Sequence, residues 1–420
     1  MKIKSLHVNK YRALKEFIIN FNEDVNVIIG ENGTGKTSIL ELIYNTITEN
    51  KAFFKDENGF YESTIKIKLI EDEIKEFSNF KNDYNKNDIF SFEVNKDENN
   101  ELKFVGIPNF REINNKRIRS LLIYLKAEIN YKKQKIQAPM KPNDFNQFAT
   151  IIGEEEENKL NLKQYIINEH YKDLEDLSIE NKPFRIDRFR KLYNSFFKEK
   201  KFIGVKDFEP IFKVKATGEV HSADELSDGE KQIFYRGGAL LQLNLENSII
   251  LIDEPELSLH PEWQQKILDF YKNIGDNNQI IIATHSPHIV SSCRKEEIRV
   301  LIKEDGIVKV QENIEETYGR TVEQLLLSVF QLDSVRNPEV QKNLDRFKAL
   351  YVNNSNLNNK ERLEMNTLKN ELEKYLDLED PSLFLVNNDE NPKKLESLFN
   401  QLKYDKNNDE VFVENNISQE

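Results

Sequence analysis

Residues 30–37 read GENGTGKT, with three glycines, a lysine and a hydroxyl at the spacing of a phosphate-binding loop, G-x-x-x-x-G-K-[ST]. Gly30, Gly33 and Gly35 let the backbone curl so that its N–H groups face an anion. Lys36 is placed to reach the β- and γ-phosphates of a nucleotide, and the Thr37 hydroxyl to ligate Mg²⁺. Asn32, Thr34 and Ser38 complete the expected nucleotide-contacting set. A second run, Ile249 to Glu254, is an apolar strand ending in two carboxylates. Asp253 there would hold Mg²⁺ through water, and Glu254 would orient and deprotonate an attacking water. Together these residues describe hydrolysis of ATP.

The flanking elements fit that chemistry. Val25 to Ile29 form an apolar strand ahead of the loop, and Ser38 to Thr48 an amphipathic helix behind it, with Ile39, Leu40, Ile43 and Ile47 on one side. Ile249 to Ile252 and Ile280 to Ala283 are continuous apolar runs, expected of parallel strands covered on both faces. In the first hundred or so residues Ile65, Ile67 and Leu69 alternate with Lys66 and Lys68, the mark of a half-buried antiparallel strand. Ile89 to Val94, Leu102 to Val105, residues 120–125 and Ile211 to Lys215 read as further strands. Between about 126 and 201 the pattern turns helical, as it does after about 311, where Leu325, Leu326 and Val329, then Leu368, Leu372 and Leu376, recur at helical spacing. Asn-rich stretches near 352–359 and 405–420 are expected to be a loop and a frayed tail.

Two further motifs carry a family resemblance. ELSDGEKQ at 225–232 resembles the ABC signature LS-x-G-[EQ], and ATHSP at 283–287 resembles the switch-histidine motif. The resemblance implies an ABC-type ATPase that sandwiches ATP between two chains. Ser227, Gly229 and Glu230 would then face nucleotide held by the other subunit, while His285 would report the γ-phosphate. EPELSLHP at 254–261 corresponds to the D-loop, placing Ser258 and His260 near the dimer seam, with Pro261 in the first turn of a helix. Arg12, in NKYRAL, matches the arginine that RecF- and SMC-like ATPases carry near the nucleotide. Glu128 and Gln134 are the available residues where such proteins place a Q-loop glutamine, and neither is assigned that role.

The implied fold is an α/β ABC-ATPase head, a mixed sheet with an antiparallel β subdomain. The expected divisions are an N-terminal lobe at 1–125, a helical arm at 126–201, a C-terminal lobe at 202–310 and a helical region at 311–420. An insertion of about 75 residues has room for two antiparallel helices of roughly 35 residues, an arm of about 50 Å at about 1.5 Å per residue. That separates the chain from compact transporter subunits and from the long coiled coils of SMC proteins. LSDGEKQ with EPELSLHP is nearer to the RecF/OLD-like class. An OLD-type Toprim nuclease needs a D-x-D pair on a strand, which 311–420 do not offer, and none of His7, His170, His221, His260, His285 and His288 groups as an HNH site would require. YGRTVEQLLLSVFQLDSVRNPEV, from Tyr318, resembles PtuA-type ATPases of Septu and retron anti-phage systems, which pair with a separately encoded HNH nuclease. The expected partners are therefore a second copy, as a homodimer or part of a higher oligomer, and that nuclease. The competing reading is a DNA-repair or chromosome-maintenance ATPase that binds DNA.

Composition narrows the setting. A net charge of −13 argues against a surface uniformly adapted to nucleic acid. Nucleic acid stays open as a partner through two basic clusters, Lys126, Lys132, Lys133 and Lys135, and Arg185, Arg188, Arg190 and Lys191, with acidic Glu154 to Glu157 between them. A solvated helix face is the blander account of both. No apolar run approaches the roughly 18 to 20 residues of a membrane span. The N-terminus lacks a signal-peptide core, and the single cysteine, Cys293, admits no internal disulfide, so a cytoplasmic location is expected.

Overall fold

The computed structural model describes residues 1–56, 62–69, 89–96, 101–106, 121–127, 149–152, 161–176, 184–311, 314–353, 356–377, 380 and 382. In chain order come β1 (Lys2–Tyr11), β2 (Leu14–Asn20), β3 (Val25–Gly30), α1 (Lys36–Ile47), α2 (Lys51–Asp56), β4 (Glu62–Lys68), β5 (Ile89–Lys96) and β6 (Leu102–Val105). β7 (Leu122–Leu125), β8 (Ala149–Ile152), α3 (Leu162–Glu175), α4 (Asp187–Phe196), β9 (Lys200–Lys206), β10 (Glu209–Val214) and β11 (Val220–Ser222) follow. Next are α5 (Asp228–Gln232), a π-helical turn (Ile233–Gly237), α6 (Gly238–Leu243), β12 (Ile249–Asp253), α7 (Pro261–Lys272), β13 (Gln279–Ala283) and α8 (Pro287–Val290). The chain continues through β14 (Ile298–Glu304), β15 (Ile307–Val310), α9 (Val322–Ser328), α10 (Pro338–Val352) and α11 (Asn359–Tyr375).

Among the described residues the strands form a seven-stranded sheet, β15-β14-β3-β13-β12-β7-β8, a five-stranded sheet, β2-β1-β4-β5-β6, and a three-stranded sheet, β11-β10-β9. In the largest sheet every pair is parallel except β14 with β15. The five-stranded sheet is antiparallel throughout. This is the mixed sheet with an antiparallel subdomain expected of an ABC-ATPase head.

The apolar runs explain why the large sheet sits in the middle. Successive strand residues point to opposite faces, and here both faces are covered. Val27, Ile29, Ile123, Leu125, Ile250, Ile252, Ile280 and Ile282 join one core cluster. Their alternates Ile28, Leu122, Tyr124, Ile249, Leu251, Ile281 and Ala283 join a second, with α1 and the five-stranded sheet. α1 is consequently not half-exposed, as an amphipathic helix would be; Leu42, Tyr44, Asn45 and Thr46 are buried as well as Ile39, Leu40, Ile43 and Ile47.

Of the span read as a helical arm, residues 126–127, 149–152, 161–176 and 184–201 are described. Residues 128–148, 153–160 and 177–183, which include Lys132, Lys133, Lys135 and Glu154 to Glu157, lie outside the described residues. Around them the chain forms the strand β8, parallel to β7, and two short helices of 14 and 10 residues. Leu162, Ile166, Phe189, Leu192, Tyr193 and Phe196 of those helices belong to the main core. The Tyr193 ring lies 5.2 Å from Phe234, 5.3 Å from Phe202 and 5.8 Å from Phe212 between centroids. Gly238 permits this approach, since a Cβ there would stand 2.5 Å from Leu162 and 2.6 Å from the Tyr193 hydroxyl. The helical period is genuine, but its apolar face closes the core rather than a coiled-coil seam. β9 also begins inside the span read as helical.

The chain divides into two compact units at Phe330 and Gln331, later than the expected division at 311. α9 belongs to the first unit, where Leu325 and Val329 are buried in the main cluster. In the second, α10 and α11 pack through Leu344, Phe347, Leu350, Leu368, Leu372 and Leu376.

Truncating Phe189, which is fully buried, tests the placement of α4. Phe189→Ala is expected to destabilise the first unit by about 3–5 kcal/mol, read by chemical denaturation. A change within about 0.5 kcal/mol, as at a solvated arm, would contradict it.

Candidate nucleotide site

Because β3, β13 and β12 are adjacent and parallel, their C-terminal ends share one edge of the sheet. The phosphate-loop run leaves β3 there, Asp253 and Glu254 leave β12, and the His285 segment leaves β13. Open α/β sheets bind ligands at that edge. α1 starts from Gly35 at φ 92 with no side chain capping its first turn. Its leading N–H groups are therefore free of side-chain caps and suit phosphate oxygens. The buried Lys36 ammonium donates to the carbonyls of Gly30 at 2.8 Å and Glu31 at 3.0 Å. Thr34 Oγ1 donates to the same Glu31 carbonyl at 2.9 Å, closing the loop on itself. Asn32 and Gly33 are exposed at its rim.

The Thr37 hydroxyl donates to Asp253 Oδ1 at 3.2 Å, across two elements far apart in sequence. A hydroxyl and a carboxylate so paired are hard oxygen donors that fit Mg²⁺. Burial pushes the Asp253 carboxyl up to about 6, opposed by the Thr37 hydrogen bond and reinforced by Glu254. Burial also lowers the Lys36 ammonium to about 8, against the pull of Glu254, Asp253 and Glu256. Glu254 sits at φ 42, in the left-handed region that non-glycine residues rarely occupy, with its N–H donated to the Ala283 carbonyl at 2.9 Å. His285 is half-buried, and desolvation, then Lys36, lowers its basicity.

The signature segment is built as an open helix start. Ser227 is exposed and caps α5, its Oγ accepting the Glu230 N–H while Glu230 Oε2 accepts the Ser227 N–H at 2.8 Å. Gly229 lies against the D-loop: a Cβ there would meet the Ser258 carbonyl at 2.5 Å. Ser258 and His260 are both exposed, Ser258 at φ 60, and His260 caps α7 through the Glu262 N–H at 3.3 Å. Arg12 lies beside α1, donating to Glu41 at 2.7 Å and Ser38 at 3.4 Å, with its guanidinium over the Tyr11 ring. Lys36, Thr37, Asp253, Glu254 and His285 thus gather at one edge. Ser227, Gly229 and Glu230 form a separate, outward-facing helix start.

Three residues at the site were not singled out from sequence. Glu256 accepts the His285 backbone N–H at 2.6 Å; it stands within EPELSLHP, so its motif was visible though its role was not. Lys200 donates to Glu230 at 2.8 Å, bracing the signature start from β9. Arg236 is buried and bonds the carbonyls at the ends of β7 and β12. Nothing in sequence marks it, because one arginine among apolar helix residues has no spacing signature. Glu128 and Gln134 fall outside the described residues. The Arg185, Arg188 and Arg190 cluster is neutralised locally, by Asp173 and Asp176, by Glu169, and by Asp187.

Residues 25–291 match the protein family described as "AAA domain, putative AbiEii toxin, Type IV TA system". The chain belongs to that family. It is a PtuA-like ATPase of the RecF/SMC class. It is 27% identical to the Septu protein PtuA of Bacillus thuringiensis, over 83% of this chain and 92% of that one. With the Septu protein PtuA of Bacillus mycoides it shares 25% identity over 89% of its own length, and spans 50% of that longer relative. A segment covering 30% of the chain is 30% identical to 27% of the "Retron Vc95 probable ATPase" of Vibrio cholerae. Among the described residues no helix is long and apolar enough to cross a membrane.

The two shifted groups set a pH window. Cation-dependent nucleotide binding needs Asp253 ionised and Lys36 protonated, so it is expected to peak between about 6 and about 8 and to fall on either side. Calorimetric titration with Mg²⁺ and ATP from pH 5 to pH 9 checks this, and a flat profile would contradict it. The folded Asp253 carboxyl binds its proton more tightly than the unfolded one. Its ionisation therefore costs stability above about 6, and that cost is relieved as pH falls. Asp253→Asn should raise Tm at pH 8 while abolishing the Mg²⁺ effect.

Proposed function

We propose that two copies of this chain close on two ATP molecules, hydrolyse them, and thereby regulate a separately encoded nuclease in defence against phage. The reading is carried by the gathering of the phosphate loop, Asp253, Glu254 and His285 at one sheet edge, with Ser227 of the signature start exposed. Likeness to PtuA over most of both chains supports the defence role.

In this mechanism the Lys36 ammonium and the uncapped N–H groups of α1 hold the β- and γ-phosphates, and Asn32, Thr34 and Ser38 contribute polar contacts. Thr37 and Asp253 would hold Mg²⁺, which would supply charge neutralisation for the nucleotide. Glu254 orients the attacking water and takes its proton. His285 contacts the γ-phosphate and senses its loss. Ser227, Gly229 and Glu230 serve the nucleotide of the other copy, where a helix N-terminus stabilises negative charge. Arg12 contributes beside α1. Such a site works by positioning and electrostatics rather than by covalent chemistry. The cut itself is made by the partner nuclease, and the dimer's state decides when.

Lys36→Ala is expected to lose ATP binding, and unchanged affinity would remove the loop from the mechanism. Glu254→Gln should bind ATP, stall, and double its mass in light scattering with ATP present. Purified from its host in that state, it should carry a stoichiometric small nuclease. A lasting monomer would refute the sandwich, and a clean dimer that retains DNA without a protein partner would replace nuclease control by a DNA-repair role.

A further inference from the structure

Arg236 stands on the middle of a continuous helical rod. α5, the π-helical turn and α6 follow one another without a break from Asp228 to Leu243. The rod begins at the capping residue Ser227, about 13 Å from Arg236 at about 1.5 Å per residue. A π-turn inside an α-helix widens the backbone locally and is often found at functional positions. Here it lies where the side chain must turn towards the sheet edge. Arg236 is 3% exposed.

Its guanidinium joins two strand ends. Nη2 donates to the carbonyls of Lys126 at 2.5 Å and Ala127 at 2.7 Å, immediately beyond β7. Nη1 reaches the carbonyls of Glu254 at 3.4 Å and Asp253 at 3.5 Å, at the end of β12. The planar fork suits this, because its donors point in fixed directions and can serve two groups at once. Glu254 sits in a strained backbone conformation at φ 42, so something outside its own strand has to hold it. The same rod touches the D-loop again at its start, where Gly229 abuts the Ser258 carbonyl. One helix therefore grips the segment from Glu254 to Ser258 at both ends.

We infer that Arg236 is a positioning residue for Glu254 and the link through which the signature helix of each chain influences hydrolysis in that chain's own site. The inference rests on the sandwich reading for its second half. Ser227 serves the nucleotide of the opposite site, whereas Glu254 serves its own. Displacement of the rod by the opposite nucleotide is carried to the Glu254 backbone through the guanidinium. Arg236 is buried and its hydrogen bonds go to backbone carbonyls, so its loss should appear in turnover and cooperativity, not in nucleotide affinity.

The test compares the full-length wild type, Arg236→Lys and Arg236→Met for steady-state ATP turnover, Hill coefficient, ATP affinity and thermal melting. Arg236→Met is expected to lose at least tenfold in kcat with ATP Kd within threefold, and a Hill coefficient above 1 in the wild type should fall to 1. Arg236→Lys keeps the charge but cannot bridge both strand ends, so it should fold and show the same direction of change. Wild-type kcat in either folded variant would overturn the inference, as would failure of both to fold, which would leave Arg236 a purely structural role. If the wild type shows a Hill coefficient of 1 and no ATP-dependent dimer, the sandwich reading fails. The kcat comparison then still decides whether Arg236 positions Glu254.

Discussion

The arrangement depends on the parallel register of four neighbouring strands. Ala283 pairs with Ile28 on one side and Asp253 on the other, and Ile252 pairs with Leu125. A slip of one residue in β12 would turn Ile250 and Ile252 from one core cluster into the other, and the carboxylates would leave the edge where Lys36 waits. Both faces of the sheet are filled, so that register is heavily over-determined. The polar cluster at its edge can then be unfavourable in itself.

It is unfavourable in a specific way. Asp253 and Lys36 are both desolvated, and each is driven towards its neutral form by burial. A phosphate beside Lys36 and a divalent cation beside Asp253, as proposed, would reverse those penalties, because each would bring the opposite charge to a group that lacks sufficient compensation. The strain at Glu254 belongs to the same pattern, since a backbone forced to φ 42 aims a carboxylate that an extended strand would point elsewhere. Stability is concentrated in the strands and withheld from the loops they carry, as expected of a site prepared for a charged ligand.

The signature segment follows a different logic. Its capping box satisfies the helix start internally, through Ser227 and Glu230, and Lys200 balances the Glu230 charge. Among the described residues the exposed Ser227 hydroxyl has that cap as its hydrogen bond. Behind it the aromatic cluster around Tyr193 and Phe234 fixes the rod against α3 and α4. A helical rod with an exposed first residue and its middle bonded to the end of β12 is mechanically suited to carry displacement inward.

Local chemistry explains what could be read without coordinates. The glycine spacing of GENGTGKT, the apolar run into Asp253 and Glu254, and the capping pattern of LSDGE are set by neighbours in sequence, so the fold class was legible there, and the structure brings the loop and the two carboxylates to one sheet edge. The periodicity of 162–196 was legible too, but a helical stripe states only that one face is apolar. Such a stripe does not name its partner, and for Tyr193 that partner, the aromatic residues Phe202, Phe212 and Phe234, lies elsewhere in the chain. The roles of Arg236, Lys200 and Glu256 were decided by tertiary structure alone. Arg236 binds backbone carbonyls, which every sequence supplies everywhere, so only packing selects which four it meets. By itself the sequence determined the loop, the carboxylates and the strands that carry them. The three-dimensional fold decided which distant groups hold those residues in place, because burial and approach depend on contacts that no local pattern encodes.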